Sequence, residues 1–261
     1  VKTRRLPLIV FLLTVLPAAA GAAPQRVVSL APNLTEMVTA LGGDDRLAAV
    51  TPFCQAPEGV VRLPGGMQPE AEAVLGLGPD LVLATPMTPA KTRRQLGELG
   101  LRVEVVETDS LAGIRTGLER VAALLGRPVP PQADFAPASR RRTAVLLFGA
   151  ETGYSAGGGT HAHEILEAAG LHNLAAAAGG PWPQLGEEFL LAADPEIVVV
   201  ADYGSSGRED ILRQWRAHPV RRHWQAVQAG HVVVFPAAAL TVPGPAALRA
   251  AEELRAEVDP W

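Results

Sequence analysis

The chain has 261 residues, of which 48% are hydrophobic and 19% charged, and a formal net charge of −4. Too few residues are charged for a disordered chain, and an isoelectric point near 5.9 with no long basic run excludes a protein that tracks nucleic-acid phosphates. The single cysteine, Cys54, excludes a disulfide framework and a cysteine-only metal cluster.

At the amino terminus, Lys2, Arg4 and Arg5 precede an apolar run from Leu6 to Leu16 and the small-residue segment Pro17 to Ala23. A charged end, a short apolar core and an Ala-x-Ala site make residues 1–22 a predicted secretory signal peptide. The run is about half of the roughly 20 residues that a membrane span needs. No cysteine lies near the cleavage point to carry a lipid, so the mature chain is expected free in a periplasm.

The next segment alternates strands and helices. Arg26 to Leu30 reads as a buried strand, and Asn33-Leu-Thr-Glu36 has the spacing of a capping box opening a helix that stops at Gly42-Gly43. Leu47 to Thr51 is a second strand, Pro52 to Pro69 a long loop, Pro69 to Gly76 a short helix and Asp80 to Ala84 a strand buried on both faces. A helix from Thr88 to Leu99 and a strand from Leu101 to Val106 follow. Leu111, Ile114, Leu118, Val121 and Leu125 then recur at helical spacing. Prolines 128, 130, 131 and 137 break the segment up to Arg142, which reads as a boundary.

Beyond it the plan restarts: a strand over Thr143 to Gly149, helices over Thr160 to Ala169 and Gly186 to Ala193, and a strand over Glu196 to Ala201. A mainly helical stretch from Gln214 to Ala229, a strand over His231 to Phe235 and a closing helix from Pro245 to Val258 complete it. Glu36 to Gly42 parallels Glu164 to Gly170, and Glu72-Ala-Val-Leu-Gly-Leu-Gly-Pro-Asp80 parallels Glu188-Phe-Leu-Leu-Ala-Ala-Asp-Pro-Glu196, both at identical internal spacing. The expectation is an α/β protein of two Rossmann-like lobes with parallel sheets. Residues 23–109 form the first lobe, 110–142 a linking helix with a proline-rich connector, and 143–261 the second lobe.

Much chemistry is missing. Gly157-Gly-Gly-Thr160 lacks the Gly-Lys-Ser/Thr of a phosphate loop, and there is neither a Gly-x-Ser-x-Gly elbow nor a Gly-x-Gly-x-x-Gly after the first strand. Cys54 with a histidine leaves a secreted thiol enzyme as an alternative. His161-x-His163 invites a zinc site, but residues two apart on a helix diverge, so one imidazole at most faces a ligand. His161, at a predicted helix start, is the candidate. Two loops hold large or soft side chains outside the predicted core: Phe53, Cys54 and Met67 in one, Trp182 and Pro183 in the other. A tryptophan between prolines is held stiffly and suits a large planar ligand.

Arg26-Val-Val-Ser-Leu-Ala-Pro-Asn-Leu-Thr-Glu36, Phe53-Cys-Gln-Ala-Pro57, Leu77 to Val82, Pro181-Trp-Pro-Gln184 and Asp194-Pro-Glu-Ile-Val198 resemble the substrate-binding proteins of cobalamin-type ABC importers, a class III family that also takes in haem and iron-siderophore receptors. The resemblance implies two lobes bridged by a rigid helix, with cobalamin or another metal-tetrapyrrole held between them and no reaction performed. Trp182 matches the aromatic that lies against the corrin and Phe53 the aromatic of the opposite lobe. Glu72 and Glu188 match glutamates that dock a monomeric receptor onto arginines of a permease dimer. Cys54 and His161 are candidates to replace family contacts that this sequence lacks, since thiolate and imidazole both suit a ligand's cobalt or iron, and no resident metal is implied. The sequence departs from the pattern at the proline-rich connector, at Gly65-Gly-Met67, which has no second tryptophan, and at Pro236-Ala-Ala-Ala-Leu240, which has no acidic or aromatic contact.

Overall fold

A computed structural model describes residues 23–66, 68–132, 141–204 and 207–261. The predicted signal peptide, Met67 and residues 133–140 of the proline-rich connector lie outside them.

Two parallel sheets form two lobes. The first contains β1 (Val27–Ser29), β2 (Leu47–Val50), β3 (Val61–Arg62), β4 (Leu81–Ala84) and β5 (Val103–Val105), in the order β3-β2-β1-β4-β5. The second contains β6 (Arg142–Phe148), β7 (Leu171–Asn173), β8 (Ile197–Asp202) and β9 (Val232–Pro236), in the order β7-β6-β8-β9. Each sheet starts at an inner strand, builds outward on one side, by β2 and β3 in the first and by β7 alone in the second, then crosses to the other side. The two windings are therefore equivalent, β1 with β6 and β4 with β8.

Helices α1 (Pro32–Ala40), α2 (Ala71–Gly76), α3 (Ala90–Glu98) and α4 (Leu111–Leu125) belong to the first half. The second half carries α5 (His161–Ala168), α6 (Glu187–Ala193), α7 (Arg208–Ala217), α8 (Gln225–Ala229), α9 (Ala237–Thr241) and α10 (Pro245–Val258). Local signals set several bounds. Ser110 accepts a hydrogen bond from Gly113 N and Gly126 takes the left-handed conformation, so α4 starts and stops where its apolar stripe does. His218 is extended before Pro219, which ends α7 and divides the helical stretch expected over Gln214 to Ala229. The two-residue β3 and the three-residue β7 were not expected. Each is held by pairing with one neighbour, β3 with β2 and β7 with β6.

Alternation along the strands sorts the core. Val27, Leu81 and Leu83 face inward with Leu146, Ile197 and Val199, while Val28, Val82 and Ala84 face the outer helices of the first lobe and Val198 and Val200 those of the second. The inward residues of both sheets belong to one continuous apolar core, filled by α1, α4, α5 and α10. α4 packs closely on the first lobe: a Cβ on Gly117 would lie 2.8 Å from Val106 Cγ1.

The capping box expected at Asn33 is absent. α1 opens at Pro32 with no side-chain cap, because Asn33 is inside the helix and donates to Thr108 Oγ1 at 2.9 Å. Glu36 instead reaches across the joint and accepts from Ala246 N, in the first turn of α10, at 2.5 Å. Its counterpart Glu164 on α5 accepts from Leu111 N, at the start of α4, at 2.6 Å. Each lobe thus satisfies an unpaired amide at a helix start that packs on the other.

Candidate ligand cleft

In a parallel sheet, ligands meet the protein beyond the carboxyl ends of the strands. The large side chains left exposed here leave from those ends. After β2 the chain turns at Thr51, exposing Phe53 to 60% while burying Cys54. The Cys54 thiol lies 3.1 Å from Thr51 Oγ1 and the Arg62 guanidinium binds the Cys54 carbonyl, so this thiol packs in the core and is not turned to a ligand. After β4, Met87 is 79% exposed, and after β8, Tyr203 is 68% exposed.

Trp182 is presented by a short antiparallel ribbon. Gly157 N donates to Pro181 O, Ser155 N to Pro183 O and Leu185 N to Gly153 O, with Tyr154 opposite Gln184. The strands approach so closely that a Cβ on Gly157 would overlap the Gly180 carbonyl oxygen. The first glycine of the Gly157 run therefore allows a close backbone approach. Pro183 is buried, and Trp182 stands out, half-exposed, with its ring edge-on to Phe148 at 5.6 Å and to His161 at 6.3 Å.

Three connected hollows line the cleft. One of about 520 Å³ is walled by Phe148, Tyr154, Trp182, Tyr203 and Thr241. A second, of about 310 Å³, lies between Phe53, Gln55, Pro32, Glu36 and the α9–α10 segment at Ala238 and Ala246. A smaller one, of about 170 Å³, shares Thr241 with the first and Pro32 and Val242 with the second, and adds Met87 and Asp109. Phe53 and Trp182 thus line separate hollows of one cleft. The segment Pro236 to Leu240 supplies no large contact itself; its helix α9 lends Ala238 to the second hollow and Thr241 to the other two.

Among the described residues lining the three hollows, Glu36 and Asp109 are the charged ones and none is Lys or Arg. Burial raises the Glu36 carboxyl above its ordinary value, opposed by the Ala246 bond and by Arg249. His161 is buried behind Trp182. Burial lowers its pKa, its ring bonds the Leu240 carbonyl, and Nε2 has no hydrogen-bond partner. It packs edge-on against the tryptophan and lines none of the three hollows. His163 turns away to Asn173 Nδ2 at 3.2 Å, as the divergence of two helical neighbours requires. Among the described residues no three of His, Cys, Asp and Glu gather to hold a metal ion, so the zinc alternative has no donor set there. Glu72 and Glu188 are exposed at the second positions of α2 and α6.

Sequence reasoning passed over Met87, Tyr154 and Tyr203. The usable signal was position: Met87 and Tyr203 are large side chains within three residues of a strand's carboxyl end.

The sequence profile of the periplasmic binding proteins matches residues 27–239. The chain belongs to this family, in its class III branch. It is a binding protein and not an enzyme, which removes the thiol-enzyme alternative. The vitamin B12-binding protein of Yersinia pestis (strain Pestoides F) is 30% identical to this binding protein over 213 residues, 74% of each chain. Among solved structures, the periplasmic vitamin B12 binding protein of Vibrio cholerae is similar with a TM-score of 0.71 at 23% identity, over 91% of this chain and 97% of that one. A periplasmic haem binding protein from Pseudomonas aeruginosa has a TM-score of 0.67 at 30% identity, over 90% and 91%. The Vibrio cholerae haem binding protein has 0.70 at 22%, over 89% and 98%.

Proposed function

We propose that this binding protein is exported through a signal peptide spanning residues 1–22, captures cobalamin or a related corrinoid in the periplasm, and delivers it to the permease of an ABC importer. The observation that carries the corrinoid reading is the charge of the cleft. A haem brings carboxylates and many ferric siderophores bring anionic oxygens, and burying either beside Glu36 and Asp109, with no Lys or Arg among the described residues that line the hollows and only Arg249 acting on Glu36 from behind them, is costly. The rim of a corrin ring presents neutral amides, whose N–H groups are donors for those carboxylates and for the Thr241 and Gln55 oxygens, while the phosphodiester of cobalamin lies off the ring in its nucleotide loop. Phe53 and Trp182 supply apolar surface for its broad faces. The relatives named for vitamin B12 support the same reading. Glu72 and Glu188, one on each lobe, would meet basic residues of the two permease subunits.

Haem is the second reading, favoured by Tyr154 and Tyr203, because a phenolate can hold a haem iron. Titrating the purified chain with cyanocobalamin, haemin and a ferric siderophore, followed by absorbance and calorimetry, decides between them. One-to-one binding of cyanocobalamin with weak haemin binding is expected. Tight haemin binding with a shifted Soret band and no response to cyanocobalamin overturns the corrinoid reading.

A further inference from the structure

The helices carrying Glu72 and Glu188 share more than a carboxylate. In α2, Val74 is fully buried and Leu75 is 39% exposed; in α6 the residues at the same positions, Leu190 and Leu191, are 2% and 50% exposed. One exposed leucine on a surface is ordinary. Here each lobe displays one in the same register, three residues after the glutamate and so on the same helical face.

Both helices are also held the same way. Each leaves through a left-handed residue, Gly78 at φ 57° and Asp194 at φ 36°, the latter the one non-glycine with positive φ among the described residues. A proline follows, then a carboxylate that grips the start of the neighbouring strand. Asp80 accepts from Gln25 N at 2.8 Å and Arg26 N at 3.0 Å, and Glu196 accepts from Thr143 N at 2.8 Å. The second lobe keeps this exit although aspartate is strained in it. Helices between parallel strands run opposite to them, so both glutamates lie towards the strand edge where the cleft opens. Among the described residues neither glutamate has an ion pair within the chain, and each is open to an outside cation.

We propose that Leu75 and Leu191 are the apolar anchors of this docking surface, each entering a recess beside a basic residue on one subunit of a two-fold permease dimer. The inference rests on the delivery reading above and adds the contact that excludes water around each ion pair. An exposed ion pair alone contributes little, whereas a buried leucine beside it contributes directly and strengthens the pair. The two lobes offer the same carboxylate and leucine twice, which fits a partner that presents the same recess twice.

The test uses the mature chain and its purified permease–ATPase complex in nanodiscs, with two readouts: affinity for cyanocobalamin, and affinity of the ligand-free protein for the permease. Leu75→Ser with Leu191→Ser is expected to leave cyanocobalamin affinity within about twofold and to weaken permease binding at least about tenfold. Each single substitution should have an intermediate effect, and Leu75→Met with Leu191→Met should restore binding. Permease affinity equal to the native chain's in the double serine variant overturns the proposal. Native affinity in Glu72→Ala with Glu188→Ala sinks the glutamate docking itself, while no binding of cyanocobalamin sinks only the ligand reading, since the permease readout needs no ligand. Self-association of the native chain that the serine variant loses, with permease affinity unchanged, would assign the leucines to a second copy and also overturn it.

Discussion

Glu36 of α1 accepts a hydrogen bond from Ala246 N of α10, and a Cβ at Gly244 would meet Glu36 Oε2 and displace this carboxylate. The bond ties the first lobe to a helix that closes the second. Glu36→Ala leaves that amide unpaired at the joint and is expected to lower stability by about 1–3 kcal/mol in denaturant unfolding, with Glu36→Gln costing less because it keeps an acceptor. The pH profile separates the two roles. Burial raises the folded-state pKa of Glu36 above 4.5, so the folded chain holds this proton more tightly than the unfolded chain does. Its contribution therefore weakens as pH rises from 4.5 through the folded pKa. Relative to the native chain, Glu36→Gln should become more stable over that window; a constant difference from pH 4 to pH 8 would count against the buried carboxylate.

Trp182 gives the second prediction. Half its surface is exposed and its ring meets Phe148 only at an edge, so Trp182→Ala should leave the melting temperature nearly unchanged. Cyanocobalamin affinity is expected to fall about tenfold or more, the order of about 1.5–3 kcal/mol for losing a large buried apolar contact. Calorimetric titration measures it, and native affinity in the variant would show that the ligand sits elsewhere.

The ribbon beneath that tryptophan offers an internal control. Gly157→Ala drives a Cβ into the Gly180 carbonyl, and about 1–3 kcal/mol of destabilisation with weakened ligand binding is expected. At Gly158 the added Cβ would stand 3.7 Å from its nearest neighbour, so Gly158→Ala should behave as native. Equal effects at the two positions would contradict the close approach.

His161 predicts an acid sensitivity. Burial holds its folded pKa below 6.5, so the unfolded chain takes up the proton first and stability falls as pH drops below 6.5. His161→Phe, which cannot titrate, should flatten the denaturation midpoint between pH 7.5 and pH 5 if the substitution is accommodated. His161→Asn, a smaller neutral replacement, should flatten it too, and an unchanged slope in both would remove the buried imidazole as the cause.

The fold was legible wherever the chain's own neighbours decide structure. The stripe of α4, its Ser110 cap and Gly126, and the Pro245 start of α10 are local signals, and both helices run where they point. β3, β7 and α9 are too short to carry a period; pairing or packing with distant residues makes them. Asn33 and Glu36 show the limit clearly, since a three-residue spacing that serves one helix start was used to join two lobes. At the cleft, Phe53 and Trp182 were readable because prolines beside them forbid burial in a helix or inner strand. Cys54 was misjudged for a related reason: consecutive residues at a turn point opposite ways, so the exposed Phe53 sends its neighbour inward.

The shared apolar centre under both sheets has a consequence for how such a receptor changes its cargo over evolutionary time. Because the frame is welded from both halves, neither could be swapped for a foreign counterpart without remaking the seam. The strand-exit loops bear no such burden, and preference for one ligand over another can be rewritten in a handful of side chains while the scaffold stays as it is.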